Sequence, residues 1–231
     1  MTLELNLQKG LVGHWTMNDE DVDSVVRNSA ATTYHAEIRG NPTFGQDSPV
    51  GQAVQLSTSS NDYLPIRDNF YTESGVLPEL SVCAWVKTTG NNEYVMQYDR
   101  SEFFRSTTDV HVTNSDNGGG IDDMGYNGAQ DGNWHHLVFW YDSDASGDRK
   151  RMYIDTDVVA SRTDPHNGTA LGSGLDTYGS IGSFGESRSF DGDERPDFNG
   201  SLSDVRLYER ALSEEEISAL YNMRSQRSYN I

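Results

Sequence analysis

From Leu11 to about Tyr208 the chain runs in short apolar or alternating stretches separated by Gly, Asn, Asp and Ser clusters, a pattern that predicts strands joined by turns. Leu11 to Trp15 reads as a first strand. Ala53 to Leu56 and Tyr63 to Ile66 read as a pair across the polar turn Ser57 to Asp62. In Leu80 to Lys87 both alternating sets, Leu80, Val82, Ala84, Val86 and Ser81, Cys83, Trp85, Lys87, are largely apolar, so a central strand covered on both faces is expected. Tyr94 to Tyr98, Val110 to Val112, His136 to Tyr141, Met152 to Ile154, Ser180 to Phe184 and Leu202 to Tyr208 continue the series. About ten strands exceed one open layer of ordinary size and imply two packed sheets. Trp85, Trp134 and Trp140 fall within strand interiors and are expected in the core, where each such side chain stabilises by about 2 to 3 kcal/mol.

One segment breaks the period. Ser213-Glu214-Glu215-Glu216 is a capping box: the serine oxygen accepts from the Glu216 amide and the Glu216 carboxylate reaches back to the serine amide. Leu212 before the cap is placed to staple onto Ile217, and Ile217, Leu220 and Tyr221 give a short helix one apolar face. The three glutamates complement the positive end of the helix dipole, which is a structural rather than a catalytic role. No repeat or Pro-rich linker divides the chain, and Asp116 to Asp123 and Asp142 to Asp148 read as loops between strands. A single domain over 1–223 with a polar tail at 224–231 is the simplest organisation. The fold expected from the pattern is all-β, two antiparallel sheets with one short C-terminal helix.

Charge narrows the function. Asp and Glu total 36 against 17 Lys and Arg, a net charge of −19. Such a field repels phosphate backbones and anionic lipid, which excludes general nucleic-acid binding and attachment to an anionic membrane surface. Lysine is scarce, at Lys9, Lys87 and Lys150, and the acids favour Asp, a balance expected of a protein built for concentrated salt. No run approaches the roughly 18 apolar residues of a membrane helix, so no membrane insertion is expected. Cys83 stands alone, so no internal disulfide forms, and its apolar surroundings predict an inert buried thiol.

The order of local motifs carries a resemblance. Gly10 to Trp15 followed by Asn18-Asp19-Glu20, then Gly51 to Leu56 leading to Asn61-Asp62-Tyr63, resembles the opening of the laminin G-like domains of the concanavalin A-like lectin/glucanase superfamily. Leu80 to Lys87 is similar to that family's central strand, Asp131-Gly132-Asn133-Trp134-His135-His136 to its Gly-x-Trp-His-His strand, and Tyr153-Ile154-Asp155 to its following hairpin. Phe198 to Ser213 resembles its closing strand and helix. The resemblance implies a jelly-roll β-sandwich. Many relatives hold one structural Ca2+ between the first turn and the closing strand, and Asp19, Asn28 and Asp204 correspond to that site. Calcium takes six to eight oxygen ligands. Two features compete with it. Arg206, two residues beyond Asp204 on the same strand face, offers a salt bridge instead, and Asn28-Ser29-Ala30-Ala31-Thr32-Thr33 replaces the family's Asp-x-x-Gly-x-Gly turn.

No catalytic constellation emerges. The related glucanases carry a Glu-x-Asp-x-x-Glu strand that this chain lacks, the nearby Gly192 and Pro196 make Asp191-Gly192-Asp193-Glu194 read as a loop, and there is no Gly-x-Ser-x-Gly elbow. The expectation is a non-enzymatic recognition or assembly module. Its ligands, by resemblance, are glycans or glycoprotein surfaces. Asp122, Asp123 and Asp193 supply carboxylates that accept from sugar hydroxyls, and Tyr126, like Tyr178 in another Gly-rich loop, is a candidate stacking platform. The start MTLELNLQKG lacks a basic segment followed by an apolar one. With Met1 as the native start, the expected setting is the virion surface of a haloarchaeal virus, in several copies, contacting host glycans, other virion proteins or itself. A domain of a secreted haloarchaeal adhesin or carbohydrate-active enzyme, and a glycoside hydrolase with unfamiliar acids, remain the alternatives.

Overall fold

The computed structural model describes residues 6–18, 25–66, 78–91, 93–98, 102–105, 109–112, 122–125, 128–163, 179–184 and 195–224. The strands are, in chain order, β1 (Leu11–Trp15), β2 (Val25–Val26), β3 (Ala36–Glu37), β4 (Thr43–Asp47), β5 (Gln52–Leu56) and β6 (Leu64–Ile66). They continue with β7 (Glu79–Thr88), β8 (Tyr94–Tyr98), β9 (Glu102–Arg105), β10 (Asp109–Val112), β11 (Asp122–Gly125) and β12 (His135–Asp142). The last are β13 (Lys150–Ile154), β14 (Asp157–Arg162), β15 (Gly179–Ile181), β16 (Ser183–Phe184), β17 (Arg195–Pro196) and β18 (Gly200–Tyr208), followed by the helix α1 (Glu214–Asn222).

Two eight-stranded antiparallel sheets form the sandwich. The first runs β14-β13-β12-β7-β18-β5-β4, with β1 also paired to β18, and the second runs β11-β10-β9-β8-β15-β6-β3-β2. As its pattern predicts, β7 is central, paired to β12 on one side and β18 on the other, with every residue from Leu80 to Val86 buried. Val54, Leu56, Leu80, Val82, Ala84, Val86, Leu137 and Phe139 of the first sheet meet Leu64, Ile66, Val95, Met96, Met124 and Ile181 of the second in the main core. Among the described residues no helix is long and apolar enough to cross a membrane.

The expected pairing of Ala53 to Leu56 with Tyr63 to Ile66 does not form: β5 joins the first sheet and β6 the second. The connection explains it. A 3-10 turn at Thr58–Ser60 ends at Asn61, whose φ is 54°, and the Asp62 carboxylate accepts from the amides of Ser57 and Asn41 at 3.0 and 2.6 Å. The chain is thereby steered across the sandwich instead of folding back on β5. Ser180 to Phe184, expected as one strand, is split into β15 and β16 at Gly182. There φ is +78°, and a Cβ would stand 2.3 Å from Leu56 Cδ1, so only glycine fits the bend.

The helix forms as the capping box predicts, with both reciprocal hydrogen bonds present. It lies on the outer face of the first sheet, where Cys83, Val138, Trp140, Tyr153, Tyr208, Leu212, Ile217 and Leu220 make a second apolar cluster. Polar ties fix it. Trp140 Nε1 donates to Leu212 O at 2.9 Å, the Ser81 hydroxyl bridges Arg210 O and Leu212 N, and Arg210 pairs with Glu216 at 2.6 and 2.8 Å. Tyr221 stacks on the buried Trp85 with centroids 5.6 Å apart, and the Arg224 guanidinium caps the column 3.7 Å above Tyr221. Trp85 and Trp140 are therefore core residues as expected, although of this outer layer. Trp134 is half-buried just before β12.

Candidate functional site

Two of the residues expected to hold calcium, Asn28 and Asp204, are brought together by His14 on β1. The Asn28 side-chain oxygen accepts from the His14 amide at 2.8 Å, and His14 Nε2 meets Asp204 Oδ1 at 2.6 Å. Asp204 has φ 51° at an irregularity in β18, a left-handed conformation uncommon for a non-glycine residue. Its carboxylate also accepts two hydrogen bonds from Arg206, each 3.0 Å. Burial by itself would raise the Asp204 pKa; the His14 hydrogen bond and the Arg206 charge outweigh it and hold the carboxyl at about 2. Asn28 is equally occupied: its oxygen also takes the Ala30 amide, and its amino group donates to Val12 O and Thr33 O. In this arrangement the pair does not fit a calcium ion, because a guanidinium stands where the cation would and the amide oxygen already accepts twice. Asp19 lies outside the described residues. Among the described residues no group of three or more His, Cys, Asp and Glu is arranged to hold a metal.

The same cluster has the connectivity of a nucleophile relay. The exposed Ser29 hydroxyl lies 2.9 Å from His14 Nδ1, and His14 leads to the ionised Asp204. The surrounding donors speak against acyl transfer. The amides that could stabilise an oxyanion are engaged, Ser29 N with His14 O and Ala30 N with Asn28, while Ser29 Oγ also lies 3.1 Å from His14 O. The order of residues did not reveal this cluster. The available signal was the alternation in Gly13-His14-Trp15, which sets a polar His14 opposite the core-facing Trp15 on the strand beside Asp204.

Glu93, His136, His135 and Cys83 also have shifted acidities. Glu93 is buried, and burial raises its pKa, yet both oxygens are held, by Thr88 Oγ1 at 2.5 Å and Asn199 N at 3.0 Å. It ties β7, β8 and the approach to β18 together. The adjacent histidines of β12 have opposite fates. Burial lowers the His136 pKa to about 4, and its Nδ1 and the Trp85 Nε1 beside it find no hydrogen-bond partner. His135 lies between Asp155, 2.7 Å from Nδ1, and Asp131, 3.1 Å from Nε2. Burial opposes its charge, but the two carboxylates prevail and raise its pKa. The cysteine is buried, and burial drives its pKa upward, which matches the inert thiol expected of Cys83.

The expected ligand residues fall on the second sheet. Asp122 and Asp123 belong to its edge strand β11 rather than to a loop, because the segment pairs in register with β10. One row across the sheet is apolar: Leu64, Ile181, Met96, Phe104, Val110 and Met124 are successive cross-strand partners. The next row, one residue out of step, is Pro65, Ser180, Gln97, Phe103, His111 and Asp123. Leu64, Ile181 and Met96 of the first row belong to the main core, so period-two alternation puts Pro65, Ser180 and Gln97 on the other face of their strands. Gln97 and Ser180 are buried at the middle of the second row, with Ser180 Oγ donating to Ser183 O at 3.0 Å. Tyr126, Tyr178 and Asp193 lie outside the described residues.

Comparison with known proteins fits this architecture. Domain 4 of AbnA, an extracellular GH43 arabinanase of Geobacillus stearothermophilus solved in complex with arabinotriose, superposes with a TM-score of 0.58 at 20% identity, over 91% of this chain and 98% of that one. A botulinum neurotoxin type C structure, whose cell entry is described as dependent on two ganglioside molecules, gives 0.67 at 12% identity over 95% of this chain and 52% of that one. The binding domain of Paraclostridial Mosquitocidal Protein 1 gives 0.65 at 14% identity, over 94% and 53%. The chain thus spans about half the length of the toxin chains it matches. No curated protein matches it in sequence. Residues 58–218, more than half of the chain, match the laminin G-like family of the concanavalin A-like lectin/glucanase superfamily, and the chain belongs to that family.

Proposed function

We propose that the protein is a non-catalytic recognition module whose ligand is a glycan or a glycosylated protein. The observation that carries this reading is the register that sets Pro65, Ser180, Gln97, Phe103, His111 and Asp123 in one cross-strand row of the second sheet. Gln97 and Ser180 are buried, and toward the edge strand β11 the row continues with an aromatic, an imidazole and a carboxylate residue, types that bind sugar ring faces and sugar hydroxyls. The arabinotriose complex of the arabinanase domain and the ganglioside dependence of the toxin support a glycan as the ligand class. The Ser29–His14–Asp204 relay, with its neighbouring amides already engaged, adds no support for turnover. The finer setting, a multicopy component of a haloarchaeal virion, rests on the acidic composition. Immunogold labelling of particles tests it, and particles free of label overturn it.

A glycan array probed in molar salt tests the binding reading. A defined subset of glycans is expected to retain the wild-type chain, and the Asp123→Ala chain is expected to lose that subset while keeping its fold. An array on which no glycan retains the wild-type chain contradicts the proposal.

A further inference from the structure

We infer that Glu93 holds a proton in the folded chain, and that this proton ties the two sheets together at one end of the sandwich in a clasp that loosens when the proton leaves. Glu93 directly precedes β8 of the second sheet, Thr88 ends β7 of the first, and Asn199 leads into β18 beside β7. Four polar contacts converge there. Thr88 Oγ1 lies 2.5 Å from Glu93 Oε2 and 2.8 Å from Asn199 O, and it accepts from Gly90 N at 2.9 Å, while Glu93 Oε1 accepts from Asn199 N at 3.0 Å. Glu93 is 4% exposed, and a Cβ at Gly90 would stand 1.9 Å from its Oε1, so the turn closes directly over the carboxyl.

The proton count selects the state. A hydroxyl has one proton to donate and two lone pairs with which to accept. With Glu93 ionised, the single Thr88 proton has two oxygens to serve, and whichever it leaves, the carboxylate or the Asn199 carbonyl, faces a hydroxyl lone pair in a buried setting where an unmet acceptor is costly. With Glu93 protonated, every group is used. Its O–H donates to Thr88 Oγ1, Thr88 donates to Asn199 O, Gly90 N fills the second lone pair, and Asn199 N donates to Glu93 Oε1. The surrounding charges agree. Asp197, on the approach to β18, is an acid whose field opposes ionisation of Glu93. The turn docked through Gly132 N on Thr88 O carries Asp131, whose carboxylate is engaged with Asn133 and His135. The chain between Thr88 and Glu93 has no charged residue, and Lys87 is exposed and falls on the other face of β7 from Thr88. Burial acts in the same direction and raises the Glu93 pKa.

A raised folded value fixes the sign: the stability contributed by the proton is full below the ordinary pKa of 4.5 and is lost as pH rises through the folded one. Glutamine reproduces the protonated acid, since its amino group donates where the carboxyl O–H does and its oxygen accepts where Oε1 does. Carbon-13 titration of the Glu93 carboxyl in the full chain is expected to give a pKa above 4.5. Relative to the Glu93→Gln chain, the wild-type folding constant from denaturant unfolding is expected to fall, as pH rises, by about tenfold for each unit of that difference. Hydrogen-exchange protection of the Gly90 and Asn199 amides should fall with it in the wild type alone. A Glu93 carboxyl that titrates at or below 4.5, or a Glu93→Gln chain less stable than the wild type at every pH, overturns the proposal. The carboxyl titration needs no variant, and none of these readings depends on glycan binding.

Discussion

Asp204 is a buried, ionised carboxylate whose charge is met from inside the chain, by Arg206 and His14. Removing one member of a buried pair leaves the other uncompensated, so Asp204→Ala is expected to cost about 3 to 5 kcal/mol in denaturant unfolding. Because the guanidinium fills the place of a cation, a chelator should leave the wild-type melting temperature where it was. A chelator-induced drop that Asp204→Ala abolishes would show instead that calcium is held there. The sequence placed Arg206 on the same face as Asp204 and so contained this partner, but His14 comes from a distant strand and was not legible. His136 gives a second test. Its folded pKa of about 4 lies below the ordinary value of 6.5, so the unfolded chain takes up the proton first. Stability is therefore full above about pH 6.5 and declines as pH falls toward 4, by about 3 kcal/mol. His136→Phe should flatten that limb of a stability-against-pH curve; an unchanged limb would remove His136 as its cause. The raised His135 works in the other direction, contributing at low pH and losing its contribution as pH rises through its folded value.

Elements were legible where their signal is local. The capping box at Ser213 needs only four residues, and the helix formed where they placed it. Ser213→Ala should cost about 1 kcal/mol. Thermal melts check this, and an unchanged midpoint would mean that the Arg210–Glu216 pair and the apolar face hold the first turn without the cap. The buried run of β7 likewise announced a central strand. The connection from β5 to β6 did not announce itself. Sequence adjacency suggests a hairpin, and what overrides it is a carboxylate, Asp62, reaching back to two amides from different parts of the chain. β14 was missed for a different reason: its face is mostly exposed, so its alternation is weak, and only its pairing with β13 defines it.

For the whole molecule, the two-sheet architecture followed from the number and order of strands, while the candidate face followed only from register. Asp123, His111, Phe103, Gln97 and Ser180 are scattered over 84 positions of sequence, and the cross-strand pairs bring them into one row. The charge of −19 acts on this scale as well. Self-repulsion weakens the compact state until salt screens it, so the melting temperature should rise steadily from low to molar salt. A flat response would separate the acidic composition from any adaptation to salt. The most direct test of the recognition reading is an equilibrium titration of an array-selected oligosaccharide with wild-type and Asp123→Ala protein, followed by mass analysis of the recovered sugar. The account predicts saturable binding to the wild type, about tenfold or more weaker binding to the variant, and the sugar recovered intact. Cleaved sugar, or equal binding by both proteins, would contradict it.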